Sequence, residues 1–186
     1  MRLTAARVER NADGDVVMHV DLSSAPVPDK RYVADLAAVF RNLGGFRLVF
    51  AQAKLGGDTD VVPELRSVVD VQMSVKAVGE FLASIEPIKE NLGKLAGEPF
   101  PLMKHFIEPT HVAGLTANLA PIAFHGEECC IDFYMLSPFV RSTLKKGGDP
   151  YVEPVVRVSL PTGLLVALID GLSGLAQSAP DASKRR

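Results

Sequence analysis

The residues that could do chemistry are concentrated in one short segment of this sequence, 125–132. The segment contains one imidazole, three carboxylates and two thiols, from His125, Glu127, Glu128, Cys129, Cys130 and Asp132. These groups bind zinc, but tetrahedral zinc sites take paired ligands from short loops, with a second pair elsewhere in the chain. Here the adjacent cysteines would point to opposite faces of a strand, and the nearest other histidines are His105 and His111. We therefore interpret the segment as a hairpin turn with Cys129 or Cys130 in the core, where a free cysteine packs as a small apolar side chain.

Two catalytic alternatives for the segment remain open. A metal-dependent enzyme would use His125, Glu127, Glu128 and Cys129. A cysteine nucleophile would pair Cys129 or Cys130 with His125 or His111, and it would need an exposed thiol whose pKa is lowered by a cation or a helix N-terminus. The sequence predicts no helix start at this point.

No other motif in the sequence indicates catalysis. The glycine pairs at 44–45, 56–57 and 147–148 lack both the Walker lysine and serine and the spaced glycines of a dinucleotide fingerprint, so we interpret them as turns. The serines at positions 23, 74 and 137 are not flanked by the glycines of a nucleophile elbow. We expect three isolated carboxylates in predicted strands to face solvent, namely those of Asp35, Asp70 and Asp132. The sequence therefore predicts no catalytic, cofactor-binding or metal-binding residue.

Composition and charge favour a cytoplasmic globular protein. The 186 residues are 47% hydrophobic, which supplies enough apolar surface for a core without disulfides or metals. The formal net charge of −2, from 20 basic and 22 acidic residues, is unlike the basic field that binds a phosphate backbone. The N-terminal residues lack the apolar stretch of a secretory signal, and no apolar run is long enough to span a bilayer. We expect neither nucleic acid nor a membrane as a partner.

Alternation of apolar and polar residues predicts the strands of the first half. Residues 16–22 alternate in this way, and a second strand is expected over 32–40, where the apolar spacing also fits a short helix. Turn residues at 42–45 follow, so 46–53 should form a hairpin with the preceding strand. Residues 68–75 alternate again and predict a further strand.

Beyond this strand the apolar spacing changes to three and four residues, which indicates an amphipathic helix. Its apolar residues are Val78, Phe81, Leu82, Ile85 and Ile88. Ser74 is a suitable N-cap, and Pro87 must kink or restart the helix because it has no backbone N–H. The prolines and the glycine of 96–110 interrupt both periodicities and predict a linker.

The same order of elements recurs in the second half. Strands are expected over 111–120, 129–136 and 155–160, followed by a helix over 162–176. The apolar stripe of that helix consists of Leu164, Leu165, Leu168, Ile169, Leu172 and Leu175. Residues 177–186 mix serine, alanine, proline and charge, a composition typical of disorder.

This recurrence predicts an internal repeat. The aligned segments are 68–73 with 155–160, Phe81 with Leu168, Ile85 with Leu172, 32–33 with 111–112, and 46–50 with 129–133. The differences in spacing fall where loops are predicted. Two strand-then-helix segments can also look alike by chance, but here a hairpin, a Gly-Gly-Asp turn, a Val-Val-x-Val strand and a capped helix follow in one order in both halves.

The halves resemble a bacterial family known as domain of unknown function 3467. The segments that carry the resemblance are 32–36, 46–50, 71–74 and 158–161, ahead of a leucine-rich helix. The resemblance covers 31–95 and again 111–176. It implies an architecture and no particular reaction.

A second resemblance is to the export chaperone SecB, whose subunits are strand-rich, end in a helix and form oligomers. The segment 137–141 is similar to the Phe-Pro-Tyr-Ala-Arg stretch of that chaperone, although no long four-strand run precedes it here. This resemblance implies an exposed apolar groove that binds unfolded polypeptide.

We therefore predict an α+β fold of two similar units, each made of antiparallel strands that end in a helix, packed as a pseudo-twofold pair. The first unit spans 1–95 and the second 111–176, with a linker at 96–110 and a tail at 177–186.

The predicted function is a non-enzymatic protein-binding or assembly module that pairs by strand edges or apolar faces, with itself as a homo-oligomer or with another protein. The alternatives are a SecB-like holdase chaperone and a metal-dependent enzyme that uses the His125–Cys130 segment.

Overall fold

The fold is α+β, as the sequence predicts. The structure is a computed structural model, and it describes residues 6–10, 16–20, 22, 25–53, 65–96, 114–137 and 152–177. The strands are β1 (Ala6–Arg10), β2 (Val16–Val20), β3 (Arg31–Val33), β4 (Leu36–Asn42), β5 (Gly45–Ala53), β6 (Leu65–Ser74), β7 (Gly114–Thr116), β8 (Ile122–His125), β9 (Glu128–Leu136) and β10 (Val152–Pro161). The helices are α1 (Val75–Ile85), a 3₁₀ turn (Glu86–Ile88), α2 (Lys89–Leu95) and α3 (Thr162–Gln177).

Eight of these strands form two sheets of four, and β1 and β2 form a separate hairpin. The N-sheet has the order β4-β5-β6-β7, and the C-sheet has the order β8-β9-β10-β3. Each sheet therefore takes one edge strand from the other half of the chain. These exchanged strands pair in parallel, β7 with β6 and β3 with β10, whereas every other pair in the two sheets is antiparallel.

The chain changes sheet at two short crossings with the same hydrogen bonding. After β3, the Ala34 N–H donates to the Ser159 carbonyl in the C-sheet at 2.9 Å, and the next N–H donates to the N-sheet carbonyl of Ala51 at 3.2 Å. After β7, the Ala117 N–H donates to the Gln72 carbonyl in the N-sheet at 3.0 Å, and the next N–H donates to a carbonyl of β9 at 3.0 Å. Both alanines are buried, which leaves little space for a larger side chain.

A side-chain oxygen fixes each crossing against the neighbouring strand. Oδ1 of Asp35 accepts from the Ala53 N–H at 2.8 Å, and Oδ1 of Asn118 accepts from the Leu136 N–H at 2.7 Å. The Asn118 amide also donates to the Leu136 carbonyl at 2.9 Å. At both crossings, therefore, an Asx side chain is hydrogen-bonded to the strand with which the next strand of the chain pairs.

The helices lie on one face of each sheet and close a common core. The inward side chains of α1 are Ala77, Val78, Phe81 and Ile85, and those of α3 include Leu164, Leu165, Leu168, Ile169 and Leu172. The Phe50 ring of the N-sheet meets the Phe133 ring of the C-sheet edge-on, with centroids 6.0 Å apart. Residues from both halves therefore belong to one hydrophobic cluster. We call the sheet faces turned away from the helices the outer faces.

The predicted helix signals are confirmed. Ser74 caps α1, since its Oγ accepts from the Ala77 N–H at 3.1 Å. Pro87 lies in the 3₁₀ turn between α1 and α2, so the helix restarts there. The predicted stripe of α3 is buried except for Leu175, which is half-buried. None of the described helices has the length and apolar character needed to cross a bilayer.

The single strand predicted over 32–40 is wrong, because this segment is divided between β3 and β4 in different sheets. The sheet change at Ala34 and Asp35 has neither proline nor glycine, so local sequence does not mark it. The alignment of 32–33 with 111–112 also differs from the register, in which Tyr32 lies opposite Val158 as Leu115 lies opposite Val71. A twofold relation between the units and their boundaries stay predictions.

Several predicted segments lie outside the described residues. These are 97–110 of the linker, 111–113, the turns at 56–57 and 147–148, 138–141 of the SecB-like segment, and 178–186 of the tail.

We expect Asn118→Ala to lower the free energy of unfolding by about 1–3 kcal/mol, because it leaves the N–H and the carbonyl of buried Leu136 without their side-chain partner. Urea unfolding monitored by circular dichroism measures this free energy. Asn42→Ala is the matched control, since Asn42 makes the same kind of bond, to the Gly44 N–H at 3.0 Å, in an exposed turn. Equal losses in the two variants would contradict a special role for the crossing.

Candidate functional site

The segment 125–132 is the β8–β9 hairpin, so the predicted hairpin turn is confirmed. Its two-residue turn has Gly126 at a φ of +62°, followed by Glu127 at negative φ. This combination fits a type II′ turn, whose first central position favours glycine. The Thr162 side chain donates to the Gly126 carbonyl at 3.0 Å and its N–H donates to the Glu127 carbonyl at 2.8 Å, so the start of α3 holds the turn in place.

The two cysteines point to opposite faces of β9. Cys129 is buried in the core, where its thiol donates to the Leu160 carbonyl at 3.3 Å, whereas Cys130 is half-buried on the outer face. Burial, with a smaller contribution from the neighbouring Cys130, raises the pKa of the Cys129 thiol to about 12. This shift is opposite to the one that a nucleophile requires. The prediction of a cysteine in the core is confirmed for Cys129.

The strand geometry also separates the possible metal ligands. His125 and Glu128 close the hairpin as a cross-strand pair, and Cys129 lies on the other face of the sheet. Among the residues that the structure describes, no three His, Cys, Asp or Glu side chains come together as a group that could hold a metal ion. His105 and His111 lie outside those residues.

The outer face of the C-sheet contains an open groove next to this hairpin. A row of paired residues, Val33, Ser159, Cys130 and Ala123, crosses all four strands and lines it. The groove has a volume of about 700 Å³. Val33 is 61% exposed, and His125, Glu127 and Glu128 form a polar rim at the hairpin end. We call this cavity the outer groove.

The far end of the same face is covered. Tyr134, Leu136 and Val152 form a small second apolar cluster there, with Leu22, Ala25 and Leu119 packed against it. Among the described residues, the exposed part of the C-sheet's outer face therefore lies near β8 and along β3.

The strand β8 forms an exposed edge of the C-sheet. The Asp132 N–H donates to the Pro121 carbonyl at 3.0 Å, which identifies these two residues as a hydrogen-bonded pair. Because such pairs alternate in an antiparallel ladder, the N–H and carbonyl groups of Ile122 and Phe124 point away from β9. No described strand pairs with β8 on that side. Phe124 is 40% exposed, and β8 contains neither Lys, Arg, Asp nor Glu.

One edge strand of the N-sheet, β4, differs from β8 because a helix lies against it. The Arg41 guanidinium donates to the Leu175 carbonyl of α3 at 3.1 Å, and Gly171 of α3 lies against the Val39 side chain. Residues 36–40 are half-buried, whereas Ala123, Phe124 and His125 of β8 are exposed. The contact with α3 therefore shields β4, and β8 is the more accessible of these two edges.

The expectation that isolated aspartates face solvent is wrong for Asp70 and Asp132. Asp132 accepts from Nε and Nη2 of Arg157, both at 2.6 Å, and this bond raises the pKa of the guanidinium. Asp70 is buried on the outer face of the N-sheet and paired with Arg47. An arginine on the adjacent strand neutralises each carboxylate, which permits its burial. Asp35 is half-buried, and its side chain accepts the Ala53 N–H at the first crossing.

Comparison with family models, with curated proteins and with solved structures gave no significant match to the chain. The resemblances to domain of unknown function 3467 and to SecB therefore stay predictions. The candidate site is defined by geometry alone: an uncharged, exposed edge strand beside an apolar groove.

We expect only Cys130 to react with a thiol reagent in the folded protein at pH 8. At that pH a thiol with a pKa of about 12 is ionised in roughly one molecule in 10,000. Mass spectrometry after iodoacetamide treatment measures this in Cys130→Ser, which should be modified only in denaturant, and in Cys129→Ala, which should be modified when folded. Rapid alkylation of folded Cys130→Ser would contradict the burial of Cys129.

The same pKa shift predicts a pH dependence of stability. The Cys129 pKa of about 12 lies above the ordinary thiol value of 9.0, so the contribution of the protonated thiol is complete below pH 9 and is lost as the pH rises towards 12. Unfolding curves of the wild type and Cys129→Ala should therefore converge over this range. A difference that stays constant from pH 8 to pH 11 would contradict the assignment.

Proposed function

We propose that this chain is a non-enzymatic assembly module that self-associates through β8, so that two copies join their C-sheets edge to edge. The exposed edge of β8 carries the proposal. Natural edge strands are protected by charges, prolines, bulges or covering elements, and an exposed edge without these devices is a pairing site. Within β8 there is no proline and no acidic or basic side chain, although Pro121 precedes it.

Antiparallel pairing about a twofold axis fits the direction of the free main-chain groups. With Ala123 on the axis, Ile122 lies opposite Phe124 of the partner subunit, and these are the residues whose N–H and carbonyl groups point outwards. The exposed Phe124 ring then packs against the partner subunit's Ile122 on the helix side of the sheet. The two outer grooves would continue across one eight-stranded sheet.

The charges near β8 are compatible with this register. His125 lies opposite Pro121 of the partner subunit, and Glu127 and Glu128 lie beyond the paired segment, so no like charges face each other. A four-residue edge buries less area than a standard interface. We therefore expect a dimer that exchanges at micromolar protein concentrations.

The outer groove favours a second candidate function, a SecB-like holdase that binds unfolded polypeptide. Val33 and Tyr32 are exposed apolar residues on the strand at the far side of the C-sheet, and the groove leads from Val33 to the free edge at β8. An extended client could add to β8 as a strand and place apolar side chains in the groove. The two candidate functions use the same edge of β8. They differ in whether a second copy of the chain or an unfolded client binds there.

We expect Phe124→Lys to weaken dimerisation roughly tenfold or more, because it places a positive charge next to the twofold axis, where Phe124 would pack against the partner subunit. Sedimentation velocity over a range of protein concentrations measures this. Leu43→Lys is the matched control, since Leu43 is a fully exposed apolar residue in the β4–β5 turn of the other sheet. The wild type and Leu43→Lys should dimerise alike.

A monomeric wild type at every concentration, or an unchanged dimer in Phe124→Lys, would refute self-association through β8. The holdase candidate is tested on the same samples by light scattering of an aggregating unfolded protein. It predicts that a monomeric wild type suppresses aggregation, and that Val33→Lys and Phe124→Lys reduce the suppression while Leu43→Lys does not.

A further inference from the structure

The outer face of the N-sheet contains a polar groove of about 480 Å³, separate from the outer groove of the C-sheet. On this face Arg47 of β5 lies opposite Gln72 of β6, and Asp70 is the neighbour of Gln72 along β6. Gly114 of β7 lies directly opposite Asp70. All four residues line the groove, together with Phe40, Arg41 and Asn42. The groove therefore combines guanidinium, carboxylate and amide groups.

One polar atom at this groove is buried without a partner. Oδ2 of Asp70 is bonded to Nε of Arg47, but Oδ1 has no hydrogen-bond partner among the described residues. Asp70 is 1% exposed. A buried carboxylate oxygen without a donor is unfavourable and uncommon in folded proteins.

The ion pair of the C-sheet provides a direct comparison. Asp132 uses both of its oxygens, since Arg157 donates to Oδ1 and to Oδ2 at 2.6 Å. Arg157 lies directly opposite Asp132, whereas Val49 lies opposite Asp70 and Arg47 reaches it diagonally. The diagonal approach explains why only Oδ2 of Asp70 is bonded to Arg47.

The charge at Asp70 restricts what its free oxygen can accept. Arg47 already neutralises the carboxylate, and a cationic ligand would also meet the positive charge of that guanidinium. An anion would be repelled by the carboxylate oxygen itself and has no N–H to donate to it. A neutral N–H donor next to a carbonyl acceptor avoids both repulsions, and the Gln72 amide can donate to the carbonyl of such a group.

Gln72 and Gly114 control access to this oxygen. The exposed Gln72 side chain lies over Gly114, with Nε2 only 3.1 Å from where a Cβ of residue 114 would stand. Gly114 lies opposite Asp70 and both line the groove, so the absence of a side chain at position 114 keeps the groove open beside Asp70. Rotation of the flexible Gln72 side chain would widen this opening.

We infer that this groove binds a neutral amide group, with Asp70 Oδ1 accepting its N–H. The group is a carboxamide, as in asparagine or glutamine, or a peptide bond. This site is independent of the assembly proposed for β8, because it lies on the other sheet.

The test is a titration of ¹⁵N-labelled full-length protein, followed by amide chemical shifts. Acetamide stands for the carboxamide source and N-methylacetamide for the peptide bond, with methylammonium and acetate as charged controls. At least one amide should shift the Asp70, Gln72 and Gly114 signals to saturation, with a millimolar Kd. The more strongly bound amide shows whether the groove prefers a carboxamide or a peptide bond. Neither methylammonium nor acetate should shift these signals to saturation.

Asp70→Asn should weaken the binding roughly tenfold or more, and Asp132→Asn, at the fully bonded pair, should leave it unchanged. If Asp70→Asn does not give a folded spectrum, Gly114→Leu serves instead, since it fills the space beside Asp70 from an exposed edge strand. Equal shifts from methylammonium or acetate, saturation unaffected by Asp70→Asn or by Gly114→Leu, or no saturable shift with either amide would overturn the inference.

Discussion

The structure depends on the two crossings at which the chain leaves one sheet and enters the other. Because β3 completes the C-sheet and β7 completes the N-sheet, neither sheet is built from one half of the chain. Each crossing has a small buried residue, Ala34 or Ala117, followed by an Asx side chain that bonds the strand with which the next strand pairs. This exchange brings Phe50 against Phe133 and joins the two inner faces into one core. The helices can then cover both sheets from the same side.

This arrangement also determines which surfaces are left for recognition. With α1 and α3 on the inner faces, the outer faces have to be stabilised by cross-strand pairs, and each carries one arginine–aspartate pair. The long helix α3 lies against β4 and shields that edge. No described element does the same for β8, whose residues 123–125 are exposed. The difference in exposure between the β4 and β8 edges is thus a consequence of where α3 lies.

The local parts of this fold could be predicted from the sequence, and the non-local parts could not. Alternation located β6, the turn residues at 42–45 located β5, and helical spacing with Ser74 located α1, because these signals lie within a few residues. Recurrence of the same order of elements located β9 and β10. The division of 32–40 between two sheets has no turn residue to reveal it. The burial of Asp70 and Asp132 depends on arginines 23 and 25 residues away that only the strand register brings close. For the same reason the hairpin at 125–132 was predictable, whereas the exposed edge of β8 was not.

The two ion pairs also decide what kind of recognition these surfaces support. Each pair cancels its own charge, and the chain as a whole carries a formal net charge of only −2. Among the described residues, neither outer face therefore presents a strong field that would steer a charged partner over a long distance. Main-chain groups at an open strand and single buried acceptors act instead at short range, where direction and shape determine binding. Under both proposals a partner is selected by the geometry of N–H and carbonyl groups, because β8 and Asp70 each present their polar atoms in a fixed orientation.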